Sequence, residues 1–136
     1  MPPPVLSEQG LPIGYQLKPQ YEITPREAAA RLAAGKLVLI DVRTQPEWDL
    51  VRVPGSVHIP LDDVESRHDE VEAAAGQTIA CLCHHGVRSM RAALALRSLG
   101  HGNVVSVAGG IDLWSLAAEP ALPRYERAAG ICRPIA

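Results

Sequence analysis

The chemistry available to this chain concentrates in one stretch, Cys81-Leu82-Cys83-His84-His85-Gly86-Val87-Arg88-Ser89. An apolar run gives way there to a thiol, two imidazoles, a glycine, a guanidinium and a hydroxyl. Gln77–Cys83 reads as a buried strand and Ser89–Leu99 as a helix, so the stretch is a strand–loop–helix junction. In open α/β sheets, ligands gather at the carboxyl ends of strands. Helix N-termini leave amides free and carry positive partial charge, which holds anions. Gly86 lets the loop curl so that its amides turn inward. Cys83 ends the strand or begins the loop, where amides and the Arg88 guanidinium favour the thiolate that a cysteine nucleophile needs.

Two plainer readings compete. A free cysteine is often a small buried hydrophobe, inert in its core. A zinc site made of Cys81, Cys83, His84 and His85 would have suitable donors. Ligands packed so closely in sequence do not readily converge tetrahedrally, and zinc sites usually draw pairs from separated segments. His58, His68, His101 and Cys132 add no paired spacing. No metal and no organic cofactor is therefore expected. On a regular strand Cys81 and Cys83 share a face about 6.5–7 Å apart, at or beyond the reach of a disulfide. Cys81 reads as a core residue rather than a resolving thiol.

The elements that must position this loop alternate along the chain. Thr24-Pro25-Arg26-Glu27 opens a helix with an N-cap, a proline at the first position and a glutamate three residues on; Gly35 closes it. Lys36–Val42 is an apolar, branched run that suits a strand buried on both faces of a parallel sheet. A helical turn follows at Pro46–Leu50, a turn at Pro54-Gly55 and a brief strand at Val57–Ile59. Leu61–Ala75 reads as one helix, Asn103–Val107 as a third buried strand, and a short helix runs from Gly109-Gly110 through Leu116. This alternation predicts an α/β fold, a central parallel sheet with helices on both faces. Residues 1–20 hold five prolines and read as an extension that drapes over the domain or stays mobile. Residues 21–118 read as the folded domain, and 119–136 as a tail with further prolines.

The 136 residues suit one domain, and 47% apolar with 21% charged residues is a globular balance. A net charge of −2 gives no electrostatic footprint for nucleic acid. The apolar runs are far shorter than the roughly 20 residues that span a bilayer. Met1-Pro2-Pro3-Pro4 carries no signal-peptide pattern, and three cysteines do not make a secreted disulfide framework. A cytoplasmic protein with no membrane and no nucleic-acid partner is expected.

Leu39-Ile40-Asp41-Val42-Arg43, Glu47-Trp48, Val53-Pro54-Gly55-Ser56, Ile59-Pro60, the Cys83–Ser89 loop and Gly109-Gly110-Ile111-Asp112-Leu113-Trp114 together resemble the single-domain rhodanese family, in the family's order. The family often has Gly-His-Ile where this chain has Val51-Arg52-Val53. The resemblance implies a rhodanese-like fold over residues 21–118 and a sulfurtransferase of the thiosulfate:cyanide type. Cys83 would be the catalytic nucleophile, carrying sulfane sulfur as a persulfide. His84, His85, Gly86, Val87, Arg88 and Ser89 would form the substrate cradle, with Arg88 drawing in the anionic donor. The acceptor would be cyanide, a thiol or a protein. The related cell-cycle dual-specificity phosphatases place five residues between cysteine and arginine, whereas four lie between Cys83 and Arg88. The shorter loop favours sulfur over phosphoryl transfer. Two other classes stand beside this one: a non-catalytic binding or regulatory module of the same fold, against which the intact cysteine loop speaks, and a reductase or phosphatase of the related loop type, which the loop length disfavours. Asp41 and Arg43 read as structural, with Arg43 pairing an acid such as Glu47; Trp48 and Trp114 read as packing residues.

Overall fold

The computed structural model describes residues 2–135. Five short strands make a parallel sheet in the order β1-β5-β4-β2-β3: β1 Glu22–Ile23, β2 Leu37–Asp41, β3 Val57–His58, β4 Thr78–Leu82 and β5 Val105–Val107. The long central pair is β2 and β4, in register from Leu37 opposite Thr78 to Asp41 opposite Leu82. Side chains alternate across these strands. Leu37, Leu39, Ala80 and Leu82 enter one core with Ala28, Ile111 and the fully buried Trp114. Ile40, Val42, Cys81 and Cys83 enter the other, with Val64, Ala92, Ala93 and Leu96. The sheet is thus covered on one face by α1 (Pro25–Ala33) and α5 (Gly110–Ala117), and on the other by α3 (Val64–Arg67) and α4 (Val87–Ser98). This is the α/β architecture that the hydrophobic pattern predicts.

Two segments differ from the expectation. Leu61–Ala75 is not one helix: 3-10 turns at Leu61–Asp63 and His68–Glu70 flank the four-residue α3, and extended chain follows from Val71. Apolar residues at 61, 64 and 71 are too sparse to hold a helical face. The position one turn beyond Val64 is His68, which makes a 3.0 Å contact with His101 instead. The second difference lies after Pro123. There β6 (Arg124–Ala128) and β7 (Ile131–Ile135) form an antiparallel hairpin through Ala129 and Gly130, both at positive φ. At the other end, Leu11 is buried against Ala108 and Leu113. Arg26 fastens this segment by donating to the carbonyls of Glu8 and Ala117.

Candidate active site

Cys83 follows directly on β4 and the loop after it feeds α4, at the carboxyl end of the sheet. Gly86 adopts φ 106°, a conformation that side chains disfavour, and its amide turns inward to donate to Cys83 Sγ at 3.0 Å. Ser89, in the first turn of α4, has its Oγ 3.3 Å from Sγ and 2.7 Å from Ser106 Oγ on β5. No side chain caps α4 and its own first turn carries no acidic residue, which leaves the amides of that turn to an anion. Val87 opens α4 with an exposed side chain, leaving its backbone to the loop.

The opposite wall is the start of α5. Its Ile111 and Asp112 amides donate to the carbonyls of Cys83 and His84 at 2.8 and 3.2 Å. That approach depends on Gly110, where a Cβ would stand 2.3 Å from the His84 carbonyl oxygen and 2.5 Å from that of Cys83. Cys83 itself is 1% exposed. Cys81 lies deeper in the α4-side core, where burial pushes its thiol up to about 12, a core residue with no thiolate character.

The two loop histidines have different surroundings. His84 is buried, its ring stacked on Tyr125 at 4.1 Å and against His85 at 3.8 Å, with Nε2 placed 3.1 Å from the Tyr125 carbonyl. Burial, helped by the neighbouring His85, holds His84 down at about 4, so it is neutral near pH 7. His85 is exposed and lies 3.7 Å from Asp112, which Arg124 of the hairpin grips with two nitrogens at 2.8 and 3.1 Å. One nitrogen of each histidine and an Asp112 oxygen lie within 4.8 Å of one another. Arg124 already engages both Asp112 oxygens and places its own charge in this group, which opposes a cation there.

Arg88 does not stand free at the rim. It donates to both oxygens of Glu47, at 2.7 and 3.0 Å, and Glu47 is 1% exposed. Glu47 sits in the first turn of α2 (Gln45–Leu50), where it also accepts from the Thr44 amide and hydroxyl. The Tyr125 hydroxyl donates to its other oxygen. Burial would raise this carboxyl, but the hydrogen bonds from Arg88 and Tyr125 outweigh it and hold Glu47 at about 2. The expected Arg43–Glu47 ion pair is not formed: Arg43 pairs with Asp41 at 2.7 Å, both fully buried, and reaches Glu47 only at its carbonyl. The two residues close the end of β2, and Arg43 has no free guanidinium edge for Glu47. Trp48 packs flat on His58, half-buried at the rim.

Glu47, Asp112, Arg124 and Tyr125 join the site without having been singled out for it in the sequence. Glu47 and Asp112 stand inside recognisable segments, but Tyr125 lies in a proline-bearing tail with no local signal. A cleft of about 430 Å³ runs between His84, His85 and the hairpin residues Tyr125 and Arg127. The larger cleft, about 930 Å³, lies at the amino ends of β4 and β5 near Val71 and His101, the far end of the sheet from Cys83.

Residues 24–117 match the model of the rhodanese-like domain. The chain belongs to the rhodanese family. It is 36% identical over 104 residues to a Mycobacterium tuberculosis protein, "Probable adenylyltransferase/sulfurtransferase MoeZ", covering 76% of this chain and 26% of that protein. It is 33% identical over 87 residues to the adenylyltransferase and sulfurtransferase uba4 of Ogataea parapolymorpha, covering 64% of this chain and 22% of that protein. The chain therefore spans about a quarter of the length of these curated relatives. Among solved structures, a rhodanese-related protein from Thermoplasma volcanium superposes with a TM-score of 0.64 at 27% identity, over 74% of this chain and 95% of that one. The human single-domain sulfurtransferase TSTD1 superposes with a TM-score of 0.60 at 26% identity, over 68% of this chain and 93% of that one. Among the described residues, no helix is long and apolar enough to cross a membrane.

Proposed function

We propose that this rhodanese domain is a sulfurtransferase that carries sulfane sulfur as a persulfide on Cys83. The carrying observation is the seat of Sγ, which accepts the Gly86 amide at 3.0 Å beside the uncapped N-terminus of α4. Preorganised amides there hold negative charge on sulfur at no cost in reorganisation. In the first half-reaction the Cys83 thiolate attacks the outer sulfur of a small anionic donor such as thiosulfate. A new S–S bond forms, the bond between the sulfurs of the donor breaks, and sulfite leaves with the electron pair. In the second, an acceptor thiolate or cyanide attacks the outer sulfur and Cys83 leaves as a thiolate. The near-complete burial of Cys83 supports a small donor, because a bulky ester cannot reach it without opening the loop. The loop of four residues between Cys83 and Arg88 supports the same reading over phosphoryl transfer.

Intact-mass measurement after thiosulfate exposure tests this. The parent chain should gain one sulfur atom, located on the Cys83 peptide, and release one sulfite. Cys83→Ala should gain none and lose thiosulfate:cyanide transfer. Sulfur carried on Cys81 or Cys132, or brisk hydrolysis of aryl phosphates by the parent, would overturn the reading.

A further inference from the structure

The C-terminal hairpin lies outside the residues that match the rhodanese model, yet one of its side chains reaches the middle of the site. Tyr125 is 3% exposed. Its ring covers His84 in a near-parallel stack, 10° between planes, and its carbonyl faces His84 Nε2. Its hydroxyl donates to Glu47 and accepts from Arg43 at 3.2 Å. Arg127, two residues on along β6 and on the same face, brings a second hairpin group to Glu47 at 3.6 Å. On the other face, Arg124 ties the hairpin to Asp112 on α5.

Glu47 is the element that fixes Arg88. Arg88 is held by its two hydrogen bonds to Glu47, and it stands in the first turn of α4, the helix that the Cys83 loop feeds. A continuous chain of polar contacts therefore runs from Asp41 and Arg43 through the Tyr125 hydroxyl and Glu47 to Arg88, one residue before Ser89, whose Oγ lies 3.3 Å from Cys83 Sγ. Without the Tyr125 hydroxyl, Glu47 Oε2 keeps Arg88 alone while Oε1 stays with Thr44 and Arg88, so the carboxylate can pivot about Oε1 and the planar fork of arginine pivots with it. We propose that Tyr125 is a positioning residue: through Glu47 it fixes the Arg88 guanidinium in the orientation that draws small anions to Cys83. The hairpin is then a working part of the site rather than an appendage. This inference rests on the reading of Cys83 as the reactive thiol, and its test does not require that sulfur be transferred.

The test compares alkylation of Cys83 by iodoacetate, an anion, and iodoacetamide, its neutral isostere, followed by mass spectrometry of the Cys83 peptide. The ratio of the two rates reports positive potential at the sulfur, and a general loosening of the fold moves both rates together. Tyr125→Phe keeps the ring and its stack and removes only the hydroxyl. It should lower the iodoacetate preference by roughly threefold or more, and Arg88→Ala should lower it further. Adding Tyr125→Phe to Arg88→Ala should then change nothing, because residues acting through one another are not additive. With thiosulfate as substrate, the Tyr125→Phe effect should fall on KM more than on kcat. An equal loss of preference from Tyr125→Phe in the presence and absence of Arg88 would overturn the proposal, as would an unchanged ratio in folded Tyr125→Phe. Tyr125→Leu, which loses both stack and hydroxyl, gives a second reading: a ratio at the parent value would again overturn it. A chain that shows the alkylation pattern but takes no sulfur from thiosulfate refutes the proposed function and leaves this inference standing.

Discussion

Arg88 shows how much a residue's role depends on its partner. A guanidinium at the start of a helix beside a thiol reads as a free anion hook. In the folded chain it is fastened to Glu47 by two short hydrogen bonds, with 20% of its side chain exposed against 1% for Glu47. Its removal therefore does two things. It takes a positive charge away from Cys83, and it leaves a buried carboxylate with Thr44, Tyr125 and the more distant Arg127 alone. Breaking a well-buried ion pair costs about 3–5 kcal/mol, and the partial exposure of Arg88 reduces this to about 2–3 kcal/mol. Arg88→Ala should thus melt measurably below the parent and also lose roughly one to two orders of magnitude in kcat/KM for thiosulfate. Arg88→Lys should recover part of the stability and less of the activity, since lysine restores charge without the fork. Thermal melts and turnover normalised to folded protein separate the two effects. An Arg88→Ala protein that melts with the parent would show the Glu47 pair to be a surface accessory.

Between elements, the site is made by a close approach that only glycine allows. The start of α5 lies on the Cys83–His84 backbone, and Gly110 has φ +64° with neighbouring carbonyl atoms at 2.3–2.5 Å from any Cβ. Those neighbours are backbone, so they cannot swing aside. Gly110→Ala should cost about 3 kcal/mol or more, from overpacking and a strained φ together, and push the loop off its amide cradle. Urea unfolding would measure the first effect and persulfide formation the second; a fully active, parent-like Gly110→Ala would mean that α5 does not brace the loop. Much of the β/α alternation was legible because its signals are local, apolar runs for the strands and start and stop residues such as Thr24-Pro25 and Gly35 around α1. The strand–loop–helix junction at Cys83 was legible for the same local reason. The hairpin was not. Its turn is Ala129-Gly130, and alanine at φ 51° gives none of the Asn-Gly or Asp-Gly signal that marks such turns. Nor were the partners of the loop: Glu47 meets Arg88 from 41 residues away and Tyr125 from 78, convergence that no short pattern encodes.

Across the whole molecule, most of the groups with shifted protonation gather at the carboxyl end of the sheet, which ties its stability to acid. His84 is held neutral by burial and by His85, down at about 4 against an ordinary 6.5. Between those values the unfolded chain takes up the proton first, so stability is full above about 6.5 and declines as pH falls toward 4. Glu47, held at about 2 by Arg88 and Tyr125 against burial, acts lower down. Its contribution is present above the ordinary carboxylate value of 4.5 and is lost as pH falls through 2; Asp112, held low by His85 and Arg124 against burial, adds in the same direction. Acid should therefore weaken the fold in two overlapping stages, the first belonging to an imidazole and the second to carboxylates. Urea midpoints between pH 7.5 and 2.5 measure this. His84→Asn, which keeps a polar planar group against Tyr125, should flatten the dependence above pH 4.5 and leave the steeper loss below it. Glu47→Gln should start from a lower stability and flatten the lower stage instead. The Tyr125 stack gives the cross-check: its loss lets water reach His84, so Tyr125→Leu should move the first stage toward 4 less far than in the parent and shrink it. If the parent midpoint is level from pH 7.5 to 4.5, His84 is not buried in its neutral form, and the hairpin does not close over the loop as its contacts require.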